Sequence, residues 1–406
     1  MARRPDNRAR HRYFSSRLKP EYDYLLAGGG AAGLSLAYHL SQEPRLRDKR
    51  VLLLEPAAKD QNDRTWSFWT DQPTPYDAVL AGEWRQLAFR SPKFSAVLPL
   101  RRHRYCTLRG LDFYRFVQAA LAARPAQFTR VPASVEELVN TSGGVVARTS
   151  AGEFTARLAF DSRPPRVERR PERRYLSQHF LGWEVETDFD AFDAATPVFM
   201  DFTVDQQQEC RFVYVLPFGP RRALVEYTLF SAELLAPEEY EAALRAYLHT
   251  ALAGRPYRIV ETETGAIPMT DHPFAERNGA RIVHLGTRGG RVKASTGYAF
   301  LRMQQQAARL TQALASTGRL PADLTGDQWQ FKRFDQLLLD IMLRRGELTR
   351  DIFAELFERN PTERILDFLD ERTGWPENLR VMNSVTPWPF LRSILQVLRQ
   401  QPGRRA

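Results

Sequence analysis

The chain has 406 residues, 43% of them hydrophobic and 11% aromatic, which suits two or three packed layers and excludes a disordered tail or a small disulfide scaffold. Two cysteines, Cys106 and Cys210, cannot build a disulfide framework, so a reducing compartment is expected. The net charge of +10 sits at the ends: residues 1–19 carry seven bases and one acid, residues 386–406 four bases and no acid, and the neutral body argues against a nucleic-acid-binding face and for tethering to an anionic surface such as phospholipid.

Residues 1–19 read as a disordered basic arm, and no apolar h-region follows to make it a signal peptide. Tyr24 to Gln42 lacks Asp, Glu, Lys and Arg over 19 residues, about a membrane span. Its four glycines and His39 fit a soluble strand–turn–helix better. Tyr22 to Ala27 is a buried strand, Gly28-Gly29-Gly30-Ala31-Ala32-Gly33 a turn, and Leu34, Leu36, Ala37 and Leu40 fall at helical spacing. Arg50 to Leu54 reads as the second strand of a βαβ unit and ends at Glu55.

Residues 105–160 combine a helix from Asp112 to Ala123 with short strands around Val131, Val145–Ala147 and Leu158–Phe160. Arg163 to Arg174 is a charged connector. Strands follow at Phe180–Val185, Val198–Val204, Arg211–Pro217 and Ala223–Leu229, then a helix from Pro237 to Ala251 and a strand from Ile282 leading into Gly286. From Leu301 onward the chain is mostly helical. Phe334, Leu337, Leu338, Ile341 and Met342 form a stripe expected to pack in the core. Leu391, Ile394, Leu395 and Leu398 form a second stripe beside Arg392 and Arg399, which suits either packing on the protein or a membrane interface. The division expected is a basic arm (1–19), a Rossmann-type α/β domain (20–165, closed by 276–320), a β-rich substrate domain (166–275) and a helical region (321–406).

Gly28-x-Gly30-x-x-Gly33 between strand and helix is a dinucleotide fingerprint: a tight turn, close approach of a pyrophosphate, and close helix–strand packing. Ala31 and Ala32 open the helix whose N–H groups would meet the phosphates. Glu55 is placed to accept hydrogen bonds from a ribose. One fingerprint near the head of a long chain points to the FAD half of a hydroxylase-like flavoprotein. A later glycine-rich stretch, Gly286-Thr287-Arg288-Gly289-Gly290 through Thr296-Gly297-Tyr298, is the candidate to close the flavin site.

Further segments are more specific. Asp63-Arg64-Thr65-Trp66-Ser67-Phe68-Trp69 resembles the D-R-T-W segment of lycopene cyclases, as do Phe160-Asp161-Ser162-Arg163-Pro164 and Gln178-His179-Phe180-x-Gly182-Trp183. Phe199-Met200-Asp201-Phe202, Arg211 to Pro217, Ile267-Pro268-Met269, Ser295 to Tyr298 and Pro387-Trp388-Pro389-Phe390-Leu391 continue in the family's order. The chain is similar to the bacterial FAD-dependent lycopene beta-cyclases over nearly its whole length.

The resemblance implies FAD, active in its reduced form, with NADPH as electron donor. It implies closure of β-ionone rings on lycopene, giving γ-carotene and then β-carotene, without net redox change. The family's F-L-E-E-T motif falls on Leu224 to Thr228. Its first glutamate is Glu226, the expected general acid/base; its second is Tyr227 here, which argues against a mechanism needing paired carboxylates. Arg64 suits either orientation of flavin or substrate or a structural salt bridge; Trp66, Trp69 and Trp183 suit either a polyene wall or, more simply, aromatic core, and Tyr227 is expected to line the polyene site. Thr287 stands where many related flavoproteins have an aspartate. No cluster has metal-ligand spacing. The partners implied are a lipid-dissolved carotenoid, the cytoplasmic face of the plasma membrane and other carotenoid enzymes, with no specific nucleic acid. A hydroxylase or polyprenyl reductase of the same fold is the alternative activity, and a non-catalytic flavin-binding protein the third.

Overall fold

The computed structural model describes residues 20–400, with side chains to residue 397. The basic arm and the arginines at 404 and 405 lie outside the described residues.

Tyr22–Ala27 forms the middle of an eight-stranded sheet. Tyr24, Leu25, Leu26 and Ala27 are all buried, the run of apolar residues a strand needs when helices or strands cover both its faces. It pairs in parallel with Val51–Leu54 on one side and Gly152–Asp161 on the other. Phe128–Val131 and Ile282–His284 extend the sheet outward, also in parallel. The helices Ala31–Gln42, Gly110–Ala122 and Phe300–Thr317 share the core on one face through Leu36, Phe113 and Leu310.

The second sheet has seven strands, in the order Arg258–Thr270, Tyr175–Glu186, Arg222–Ser231, Cys210–Gly219, Val198–Asp201, Gln86–Arg90 and Ser95–Pro99. Side chains alternate across it. On its central strands, even-numbered residues such as Phe180, Tyr214, Leu224 and Glu226 line a cavity. Odd-numbered neighbours such as Val185, Val213, Val225 and Leu229 pack with Leu244 and Leu248 of the helix Pro237–Ala251. A three-stranded sheet of Thr65–Thr70, Arg104–Arg109 and Gly82–Trp84 stands beside them.

Five further helices run from Trp329 to Gln400. Phe353, Phe357 and Ile365 join the core of the second sheet, with Phe357 at 5.2 Å from Phe89 between ring centroids.

Two elements depart from the sequence expectation. Arg258–Thr270 is a strand of 13 residues where the sequence suggests none, Ile267-Pro268-Met269 standing out only as part of the family resemblance. Its first half, Arg-Ile-Val-Glu-Thr-Glu, is too exposed and too charged to announce itself. Residues 86–99, expected inside the 20–165 block, pair with the second sheet and stitch the two units together.

Candidate active site

The glycine turn is set by contact distances. A β-carbon on Gly33 would lie 2.0 Å from the carbonyl oxygen of Gly28, so the helix Ala31–Gln42 can approach the first strand only with glycine there. Gly28 itself has φ +103°, a conformation that side chains oppose. Gly30 caps the helix, with open space above it. Ala31 and Ala32 form the first turn, where free N–H groups face that space. Glu55 accepts the Gly29 N–H at 2.6 Å and the Ala57 N–H at 2.9 Å. A cavity of about 250 Å³ lies against it, bounded by Gly29, Lys59, Gln118 and Arg130.

A larger cavity of about 530 Å³ lies beyond the turn, across Ser162. Ser162 borders it and bonds through its hydroxyl to the carbonyls of Ala27 and Gly28, each at 3.1 Å. The closing segment arrives as expected in space: Gly286 packs against Ala32, the Gly290 turn follows, and Thr287, Thr296, Gly297 and Tyr298 line the cavity. Thr296 Oγ1 and Gln178 Oε1 are buried with no hydrogen-bond partner among the described residues. Unpaired buried oxygens are costly, and here they border a cavity that a polar ring edge would fill. The cradle, two cavities and orphaned oxygens fit a dinucleotide such as FAD.

The wall opposite is aromatic. Trp66 stacks on Phe300 at 5.5 Å, and Tyr214 Oη lies 3.5 Å from Tyr298 Oη. Burial pushes the phenols of Tyr105, Tyr214 and Tyr298 well above their usual range, so all three stay neutral. Arg64 sits at the edge, donating to its neighbour Asp63's carbonyl at 2.7 Å and to the Thr264 carbonyl at 3.2 Å. It thereby ties the Asp63–Trp69 segment to the long strand Arg258–Thr270.

Glu226 is half-buried and lines this cavity. Thr228 Oγ1 donates to its Oε1 at 2.7 Å. Desolvation first, and then the negative charge of Glu263, push its carboxyl up to about 8. Glu263 is 7% exposed and accepts from Thr65 Oγ1 at 2.7 Å, while its Oε1 has no partner among the described residues. Burial raises Glu263 as well.

Three residues weighed for the substrate wall lie elsewhere, and Trp69 and Trp183 take the alternative place in the aromatic core. Trp183 and Tyr227 sit on the opposite face of the sheet, buried against the helix Pro237–Ala251. The strand alternation that turns Glu226 inward turns Tyr227 outward, where its hydroxyl meets Arg211 at 3.3 Å. Arg245 covers the Trp183 ring at 5.0 Å. Trp69 is core one layer back: it packs on Tyr298 at 4.6 Å and donates its indole N–H to the Leu366 carbonyl at 3.2 Å. Trp66 alone of the four borders the cavity, where Tyr105, Tyr175, Phe180, Tyr214, Tyr298 and Phe300 add further rings. Glu263 escaped the sequence reading. Its signal was positional: it stands two residues before Gly265 and four before Ile267, on the same strand face as both.

The fold matches flavoproteins of several activities. The chain superposes on the flavin-dependent brominase Bmp2 with TM-score 0.59 at 13% identity, covering 94% of this chain and 100% of that one. A geranylgeranyl bacteriochlorophyll reductase-like protein of Thermoplasma acidophilum gives 0.57 at 14%, covering 93% and 99%. The p-nitrophenol 4-monooxygenase PnpA of Pseudomonas putida gives 0.56 at 16%, covering 96% and 100%. The chain therefore has the fold of this monooxygenase, halogenase and reductase architecture, with a Rossmann-type dinucleotide cradle at its head.

Sequence narrows this class. The family model described as lycopene cyclase protein matches residues 23–395. A lycopene beta-cyclase of Paracoccus sp. is 30% identical over 400 residues, covering 94% of this chain and 98% of that one. A lycopene beta-cyclase of Pantoea ananas is 25% identical over 405 residues, covering 94% and 99%. The chain belongs to the lycopene cyclase family.

Proposed function

We propose that the protein is a lycopene beta-cyclase that closes β-ionone rings on the ends of lycopene, by proton addition and proton loss with no net redox change. The observation that carries this reading is Glu226, a carboxyl held protonated near neutral pH in an aromatic-walled cavity beside the dinucleotide cradle. An apolar polyene offers no group to bind by charge. What it needs is a carboxyl that still carries its proton where the alkene lies, walls that exclude water, and electron-rich surfaces for the cation.

The residues divide accordingly. Glu226 gives its proton to the terminal double bond. Trp66, Tyr214 and Tyr298 present electron-rich faces and neutral hydroxyls to the tertiary cation. The next double bond closes the ring, and a carboxylate removes the ring proton. Gly28, Gly30, Gly33 and Glu55 would hold the adenosine diphosphate part of FAD, and Thr296 and Gly297 its ring. Reduced FAD, when bound, would supply negative charge that stabilises the cation, and NADPH would be the reductant that maintains that state.

The substrate lives in lipid, so the enzyme works from a membrane surface on the cytoplasmic side. Among the described residues no helix is long and apolar enough to cross a membrane. Peripheral contact is supported by the last helix, Trp388–Gln400, which turns Ser393 toward the Leu337 carbonyl at 3.3 Å and leaves Trp388, Leu391 and Leu395 exposed at 68%, 45% and 57%. Trp375 and Leu379 of the preceding helix are exposed too. An outward apolar stripe of this kind inserts into a lipid interface.

Expression in a bacterial host that accumulates lycopene, followed by pigment chromatography, tests the activity. β-Carotene or γ-carotene is expected. Unchanged lycopene beside well-expressed, flavin-loaded protein overturns the reading.

A further inference from the structure

Glu226 and Glu263 lie on strands that flank the same residue. In the register of the second sheet, Gly182 pairs with Glu226 on one side and with Glu263 on the other. Their backbones are two strand spacings apart, roughly 10 Å. The missing side chain of Gly182 lets the two carboxyl arms lean together over it. A β-carbon there would stand 3.1 Å from Glu263 Cγ and 3.6 Å from Glu226 Cβ.

Few other charged groups reach the pair. Tyr105, Tyr214 and Tyr298 face Glu226 and are neutral. Glu261 and Arg64 are the charged groups felt by Glu263, with opposite effects, and Glu261 is bonded to Arg109. Each carboxyl has one hydroxyl donor on one oxygen, Thr228 for Glu226 and Thr65 for Glu263. Glu263 Oε1 has no other partner among the described residues. Two buried carboxyls without a countercharge between them cannot both ionise cheaply, and one retained proton relieves the repulsion.

We propose that Glu226 and Glu263 share one proton across Gly182 and act as a single acid–base unit in the cyclisation, Glu226 facing the substrate and Glu263 positioning the proton behind it. This rests on the cyclase reading and extends it. In the first step a carboxyl O–H bond breaks and a C–H bond forms at the terminal double bond. The unit is then doubly negative beside the cation, which holds the charge while the ring closes. In the last step a ring C–H bond breaks, its electrons form the new double bond, and the proton returns to a carboxyl oxygen. The proton balance is zero and no electrons leave. The unit takes the place of the adjacent glutamates of the family motif, which strand alternation would send to opposite faces.

The test is the pH profile of cyclisation by purified, flavin-loaded protein, chemically reduced and supplied with lycopene in liposomes. Wild type should lose activity on an alkaline limb. Glu263→Gln should move that limb down by about one pH unit or more, because Glu226 no longer feels a second charge. It should also slow turnover by about tenfold or more, with flavin content unchanged. Thr65→Val removes the hydroxyl that favours ionised Glu263, and should move the limb the other way. An unmoved limb in both variants, or in Thr65→Val alone if Glu263→Gln does not fold, overturns the shared proton. Absence of cyclic product from wild type overturns the cyclase reading and the unit with it.

Discussion

The β-carbon that Gly33 lacks would sit 2.0 Å from the carbonyl oxygen of Gly28, inside any permissible contact. The two glycines fix how closely helix and strand meet, and so where the helix N–H groups point. Gly33→Ala should push the helix away and abolish flavin retention. The visible flavin absorbance of the purified variant measures this. Wild-type flavin content would show that the turn does not hold the dinucleotide.

Glu226 carries a consequence for stability. Its unfolded carboxyl titrates near 4.3, whereas burial and Glu263 hold it near 8 in the fold. Between these values the folded state binds more protons than the unfolded state. Its stabilising share is complete below the lower value and is lost as pH rises through the upper one. Glu226→Gln removes this dependence. Melting temperatures at pH 5 and pH 9 should therefore fall further for wild type than for the variant. Parallel changes would mean that Glu226 ionises normally. The same variant should keep its flavin and lose cyclisation by about 10²-fold or more.

Tyr227 and Trp183 face away from the cavity. Tyr227→Phe should leave turnover within about twofold of wild type, since the ring keeps its packing and only the bond to Arg211 is lost. Trp183→Ala should cost about 3–5 kcal/mol of folding stability. Chromatography of the products and thermal melts separate the two effects. A changed ring-closure product from Tyr227→Phe would place that residue in the substrate wall after all.

The parts of the site that were legible before the structure are those with local rules. Gly28, Gly30 and Gly33 announce a turn whose sterics depend on a few neighbouring atoms, and Tyr22–Ala27 announces a doubly covered strand. The aromatic wall was less legible. Trp66 and Trp69 are three residues apart on one strand and so face opposite ways, and Tyr105 and Tyr214 come from distant strands. Glu263 was invisible because its role depends on Gly182, 81 positions earlier, which pairs with it across the sheet. The exchange of Tyr227 for the motif's second glutamate looked like the loss of a carboxyl pair. The sheet register supplies another carboxyl from the far side of Gly182.

The exposed stripe of the last helix predicts salt-resistant membrane binding. Simultaneous Trp388→Ser, Leu391→Ser and Leu395→Ser should reduce sedimentation with phosphatidylglycerol-containing vesicles at high salt, where the charge of the termini is screened. Flavin content should be unaffected. Undiminished binding would transfer the membrane contact to another surface.

A cyclase of this family isomerises its substrate. Mass spectrometry of the product made from lycopene in ordinary water by the reduced, flavin-loaded protein measures this. A cyclic product with the mass of lycopene itself is expected. A product heavier by oxygen, or by hydrogens added across a double bond, would contradict it.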